Sequence, residues 1–141
     1  MKTIVFDLGG TLSVSKESLD DEMVSLISKL LVNHTVAIIS GYSWKQVNKQ
    51  INDLLNIDQK QLNNLYIIPA SGGSLYQSWG KYGLVAAYQN KLAPREVDRI
   101  SVAFDEALPE SGFEAPQKLW GKQFENCDSK ITFSALGQKA P

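Results

Sequence analysis

The apolar positions fall into short runs broken by polar turns. Thr3 to Phe6 is an uninterrupted β-type run that stops at Asp7-Leu8-Gly9-Gly10-Thr11. A continuous run of this kind suits a strand covered on both faces, as in a parallel sheet. Leu19, Met23, Leu26, Ile27, Leu30 and Leu31 then recur at helical spacing, and Ser18 with Asp21 three residues on supplies an N-cap signature. Val36 to Ile39 is a second buried-type strand closed by Ser40-Gly41. A helix capped by Ser43 follows, with Trp44, Val47, Ile51, Leu54 and Leu55 on its apolar stripe. Leu65 to Pro69 is a third strand. This β-α-β-α-β order is what a doubly wound parallel sheet produces.

The pattern then changes. Ser74 to Trp79 and Leu84 to Gln89 flank Gly80-Lys81-Tyr82-Gly83 and predict a hairpin. Pro94 fits the first turn of a helix with Val97, Ile100, Phe104 and Leu108 on one side, ending near Pro109 or Gly112. A polar loop leads to a last β-type run, Lys130 to Leu136. The fold class expected is α/β: a Rossmann-like core over 1–92, including the 74–89 hairpin, then an α+β segment over 93–141.

Composition narrows the function classes. The 141 residues are 43% hydrophobic and 21% charged with a net charge of -1, an ordinary globular balance. Lys and Arg are scattered, which argues against a nucleic-acid partner. No run approaches the roughly 20 apolar residues of a membrane span, and no targeting segment is visible. A cytoplasmic location is the expectation, and the single cysteine, Cys127, agrees with a reducing compartment. His34 reads as a turn residue. Trp44, Trp79 and Trp120 read as core or hairpin packing.

Two segments carry candidate chemistry. In open α/β sheets ligands bind at the carboxyl ends of the strands, and Asp7 stands at such an end before a glycine-rich turn. A carboxylate there can coordinate a divalent cation or attack phosphorus. It can equally be a strand-terminating Asp that caps a turn. Ser40 ends the next predicted strand just before a helix. A hydroxyl there with the first helical amides suits phosphate, although Ser-Gly before a helix also arises from capping alone.

Phe6-Asp7-Leu8-Gly9-Gly10-Thr11-Leu12 resembles the first motif of the haloacid-dehalogenase-like superfamily, usually Asp-x-Asp-Gly-Thr, and Ile39-Ser40-Gly41 resembles its second. Ile131-Thr132-Phe133-Ser134-Ala135-Leu136-Gly137-Gln138 is similar to the substrate-covering cap of the phosphomannomutase-like and sugar-phosphatase-like branch. Ala70-Ser71-Gly72-Gly73 and the hairpin after it also fit that branch. The resemblance implies that Asp7 forms an aspartyl-phosphate and ligates Mg2+ together with the Gly9 carbonyl. It also implies that Gly10, Thr11, Ser40 and Gly41 hold the phosphoryl group and that Ser134 belongs to a type II cap. The substrate implied is a small phosphorylated metabolite, a sugar phosphate by branch.

This chain departs from the family pattern in two respects. Gly9 stands where the family has its second acid, the residue that protonates the leaving group. General acid–base help is worth about 10²–10⁴-fold, so turnover is expected to be slow or lost. The family's later Lys and acidic motifs have no counterpart before Pro141. That implies a truncated product or a half completed by another chain, with self-association through the open edge of an incomplete sheet. Two alternatives stay open: a non-catalytic relative that binds phosphate or a partner chain, and a fragment of an actin-like ATPase-type sugar kinase, whose phosphate loop would join two antiparallel strands.

Overall fold

The computed structural model describes residues 2–140. They form two compact units, one ending at Asn90 and the other beginning at Lys91.

The first unit is a five-stranded sheet in the order β1-β2-β3-β4-β5, where β1 is Thr3–Asp7, β2 Thr35–Ile39, β3 Leu65–Ile68, β4 Ser74–Ser78 and β5 Leu84–Gln89. β1, β2 and β3 run parallel, in sequence order, with Thr3 opposite Thr35 and Val36 opposite Leu65. β4 joins β3 antiparallel and β5 joins β4. The predicted hairpin therefore extends the parallel sheet into a mixed one. The helices α1 (Asp21–Leu31), α2 (Trp44–Gln50) and the short α3 (Gln59–Leu62) make the crossovers.

β2 carries the centre of the core. Its neighbours Val36, Ala37 and Ile38 point alternately to the two faces and all are buried. Around them pack Leu8, Ile27, Leu31, Val47, Ile51, Leu54, Leu65 and Ile67. Trp44 and Tyr76 stack with ring centroids 3.6 Å apart, whereas Trp79, at the hairpin turn, is 62% exposed and does not pack as expected. β1 is the sheet's open edge. Val5 is 59% exposed, and beside the strand Phe6, Leu12, Met23, Ile27 and Leu30 line an apolar hollow of about 570 Å³. The sequence pattern of a doubly covered strand thus meets an edge position.

Several boundaries differ from the periodicity. α1 is capped by Asp20, whose carboxylate accepts from the Met23 amide at 2.7 Å, and not by Ser18. The stripe through Ile51, Leu54 and Leu55 leaves the α-helix at Ile51 and continues as a 3-10 turn over Asn52–Asn56. Ser43 does cap α2, accepting from the Gln46 amide.

In the second unit α4 (Pro94–Glu110) begins at Pro94, with Glu96 accepting from the Ala93 amide at 2.7 Å. The strand expected over Lys130 to Leu136 is only β7 (Ile131–Phe133). It pairs antiparallel with β6 (Phe124–Asn126), which the polar pattern concealed. Phe104, Phe113, Phe124 and Phe133 form its aromatic core, with centroids 5.0–5.8 Å apart. Among the described residues no helix is long and apolar enough to cross a membrane.

The capping geometry gives a direct test. Asp20→Ala removes the acceptor for the Met23 amide and should lower stability by about 1 kcal/mol in urea denaturation, while Ser18→Ala should leave the midpoint unchanged.

Candidate functional site

Parallel pairing sets Asp7 opposite Ile39, so the chain leaves β1 and β2 at the same edge of the sheet. The Leu8 amide continues the ladder onto the Ile39 carbonyl at 3.2 Å, and the Ser40 amide reaches the Ile68 carbonyl at 3.0 Å. Three connections therefore leave the carboxyl edge side by side, after Asp7, Ile39 and Ile68.

The first connection is a compact loop built on one carbonyl. Leu8 O accepts from the amides of Thr11, Leu12 and Ser13 at 3.4, 3.0 and 3.1 Å, while the Gly10 amide donates to Ser13 O at 2.7 Å. Gly10 has φ +83°, which L side chains rarely adopt, so glycine is required there. Leu8 and Leu12 are buried and peg the loop to the core, leaving Asp7 and Thr11 exposed. The Gly10 amide expected to meet phosphate is thus already engaged inside the loop.

In the second connection Ser40 is 2% exposed. Its hydroxyl accepts from the Tyr42 amide at 3.1 Å, which leaves the O–H proton for another acceptor. The third connection locks onto the second: the Ser71 amide donates to Ser40 O at 2.9 Å and the Ala70 amide to Tyr42 O at 2.7 Å. Ala70, Ser71 and Gly72 all have positive φ. Strained backbone of this kind persists only where its surroundings hold it, and here the bonds to Ser40 and Tyr42 do so.

Side chains of α2 fix the segment after the first loop. Gln50 Nε2 donates to Glu17 O at 2.8 Å and Gln46 Nε2 to Lys16 O at 3.3 Å. Gly10, Thr11, Ser13, Ser15 and Asp20 border an open hollow of about 460 Å³.

The feature that residue patterns did not reveal is Tyr42. A Cβ at position 9 would lie 3.0 Å from Tyr42 Cε2 and 3.2 Å from its hydroxyl. That hydroxyl in turn meets Ser15 Oγ at 2.7 Å. The Tyr42 ring therefore fills the space that a side chain at position 9 needs. The sequence signal was present only as two separate facts, a glycine where an acid is usual and an aromatic residue just after Ser40-Gly41.

The structure thus brings Asp7, Gly9, Gly10, Thr11, Ser40 and Gly41 to one sheet edge. Ser134 lies in the second unit, just past β7, its amide donating to Gln123 O at 2.8 Å. Cys127 is buried, and burial followed by the nearby Glu125 carboxylate pushes its thiol pKa up, the reverse of an activated nucleophile. His34 stands in the turn before β2 with its Nδ1 buried.

Among the described residues no three His, Cys, Asp or Glu side chains gather to hold a metal. Asp7 and the Gly9 carbonyl offer oxygen only. That donor set is too small for a protein cage but fits Mg2+, which is commonly held by one or two carboxylates, with water and substrate phosphate completing the octahedron.

No family profile and no curated protein matches the chain. Solved structures do. An IMP-bound variant of the Plasmodium falciparum IMP-nucleotidase is 18% identical at a TM-score of 0.68, over 93% of this chain and 38% of that one. A C-terminally truncated form of the same enzyme is 22% identical at 0.59, over 79% and 36%. A haloacid dehalogenase-like hydrolase from B. subtilis is 19% identical at 0.56, over 76% and 34%. The chain spans under two fifths of each of these structures, and at such identities the likeness establishes fold.

The Gly9–Tyr42 contact predicts a coupling. Gly9→Ala should destabilise by about 1 kcal/mol, because the ring must give way, and the cost should vanish in a Tyr42→Ala background. A double-mutant cycle in urea measures the difference.

Proposed function

We propose that this chain, which has the haloacid dehalogenase-like α/β fold, is a phosphohydrolase-type domain that takes a phosphate monoester at the edge formed by Asp7 and Ser40. The observation that carries the reading is the register of β1 and β2. It puts a solvent-facing carboxylate and a buried hydroxyl, with a free proton to donate, at the ends of adjoining parallel strands.

Asp7 would serve as nucleophile, its carboxylate oxygen attacking phosphorus to give an aspartyl-phosphate. Ser40 would donate to a phosphoryl oxygen, and backbone around Thr11 and Gly41 would border the same anion. Asp7 and the Gly9 carbonyl would hold Mg2+, which when bound supplies electrostatic neutralisation of the equatorial phosphoryl oxygens. The substrate class is a phosphorylated sugar hydroxyl. The branch resemblance favours a free sugar phosphate, and the IMP-nucleotidase neighbours favour the same group carried by a nucleotide. The second unit, with Ser134, would act as a cap of the type II kind.

A second reading has its own support. With Gly9 in place of an acid, the site has the parts to bind phosphate but lacks the usual proton carrier, so the chain would bind without turnover. The open edge of β1, with Val5 exposed on one face and an apolar hollow lined by Phe6 on the other, adds a surface for self-association or a partner strand. The sugar-kinase alternative fares worse. β1 pairs in parallel with β2, and the loop after it leads to α1 rather than to an antiparallel strand.

Phosphate release from p-nitrophenyl phosphate, ribose 5-phosphate and IMP tests these readings. The hydrolase reading predicts Mg2+-dependent release that falls to the uncatalysed rate in Asp7→Asn. Binding without turnover predicts silence in the unmodified chain, with release appearing only in Gly9→Asp combined with Tyr42→Ala, where a carboxylate has room.

A further inference from the structure

We propose that the Tyr42 hydroxyl is the proton-carrying catalytic group of this site, standing in the space that a side chain at position 9 would occupy. The inference rests on the phosphohydrolase reading above and deepens it.

Three observations carry it. The Tyr42 hydroxyl lies 3.2 Å from where a Cβ of residue 9 would be, two residues beyond Asp7. The residue is anchored on both sides of its backbone. Its amide donates to Ser40 Oγ at 3.1 Å and its carbonyl accepts from the Ala70 amide at 2.7 Å, so the phenol is tied to the residue that would grip phosphate. The ring packs against the core, while the hydroxyl faces the loop and pairs with Ser15 Oγ at 2.7 Å. A hydroxyl partner can donate to the oxygen when it loses its proton.

The chemistry balances with these groups. As an Asp7 carboxylate oxygen bonds to phosphorus and the phosphorus–oxygen bond to the leaving alcohol breaks, the Tyr42 O–H proton passes to the departing oxygen. That leaves a phenolate, which the Ser15 hydroxyl stabilises by donation. Water then attacks phosphorus, the phenolate takes one of its protons, and Asp7 leaves as carboxylate with inorganic phosphate released. Tyr42 ends as it began.

The test uses the full chain with Mg2+ and two readouts. Beryllium trifluoride, a mimic of the phosphoryl group on a carboxylate, is followed by fluorine NMR. Separately, kcat/KM is measured over phosphate esters whose leaving alcohols range from acidic phenols to alkyl alcohols. Tyr42→Phe keeps the ring and should bind beryllium trifluoride as the unmodified chain does. It should lose about 10²–10⁴-fold with alkyl leaving groups and little with acidic phenols, so that dependence on leaving-group acidity steepens. Ser15→Ala should steepen it less. An unchanged dependence in Tyr42→Phe overturns the proposal and leaves the ring a packing element. Beryllium trifluoride binding without turnover in the unmodified chain also overturns it while sparing the phosphate site. Absence of both signals in the unmodified chain removes the phosphohydrolase reading together with the proposal.

Discussion

Parallel pairing of β1 with β2 is the constraint on which the candidate site depends. With Asp7 opposite Ile39, the first and second connections must leave the sheet next to each other, whatever their own conformations. The side-chain period of two makes this register hard to alter. A slip of one residue would turn the buried Val36 and Ile38 to the other face and change how Asp7 stands against Ser40 at the same time. Core burial and site geometry are therefore set by one set of backbone hydrogen bonds.

The third connection adds rigidity that a two-strand site lacks. Bonds from Ala70 and Ser71 to the Tyr42 and Ser40 carbonyls hold the third connection against the second, and the Tyr42 hydroxyl meets Ser15 of the first. The strained backbone of Ala70 and Ser71 is offset by that locking. At the centre, Gly9 and Tyr42 are sterically matched, the absence of one side chain making room for another. Gly9, at the place where the motif it resembles carries an acid, is thus part of a repacked contact in which a ring and a hydroxyl take the space.

The sheet was legible because its inner strands are short, apolar and β-branched, with Val36 to Ile39 the plainest case. The hairpin was legible from Gly80 and Gly83. What escaped depended on contacts between distant residues or on choices among equivalent ones. Ser18, Asp20 and Asp21 can all cap a helix, and the position of α1 on the core selected Asp20. β6 is three residues in a polar stretch, defined by pairing with β7 and by the Phe104–Phe133 cluster rather than by its own pattern. Asp7 and Ser40 stood out as residue types at strand ends. Tyr42 did not, because its part in the site exists only once the second connection folds over Gly9.

The central claim is that the connections after β1 and β2 border a single anion pocket. Amide chemical shifts of the nitrogen-15-labelled chain, titrated with inorganic phosphate in the presence of Mg2+, test it most directly. The account predicts that the amides of residues 8–12 and 40–42 move together along one saturable curve, and that the curve disappears in Asp7→Asn. Movement confined to one of the two segments, or centred elsewhere on the sheet, would contradict it.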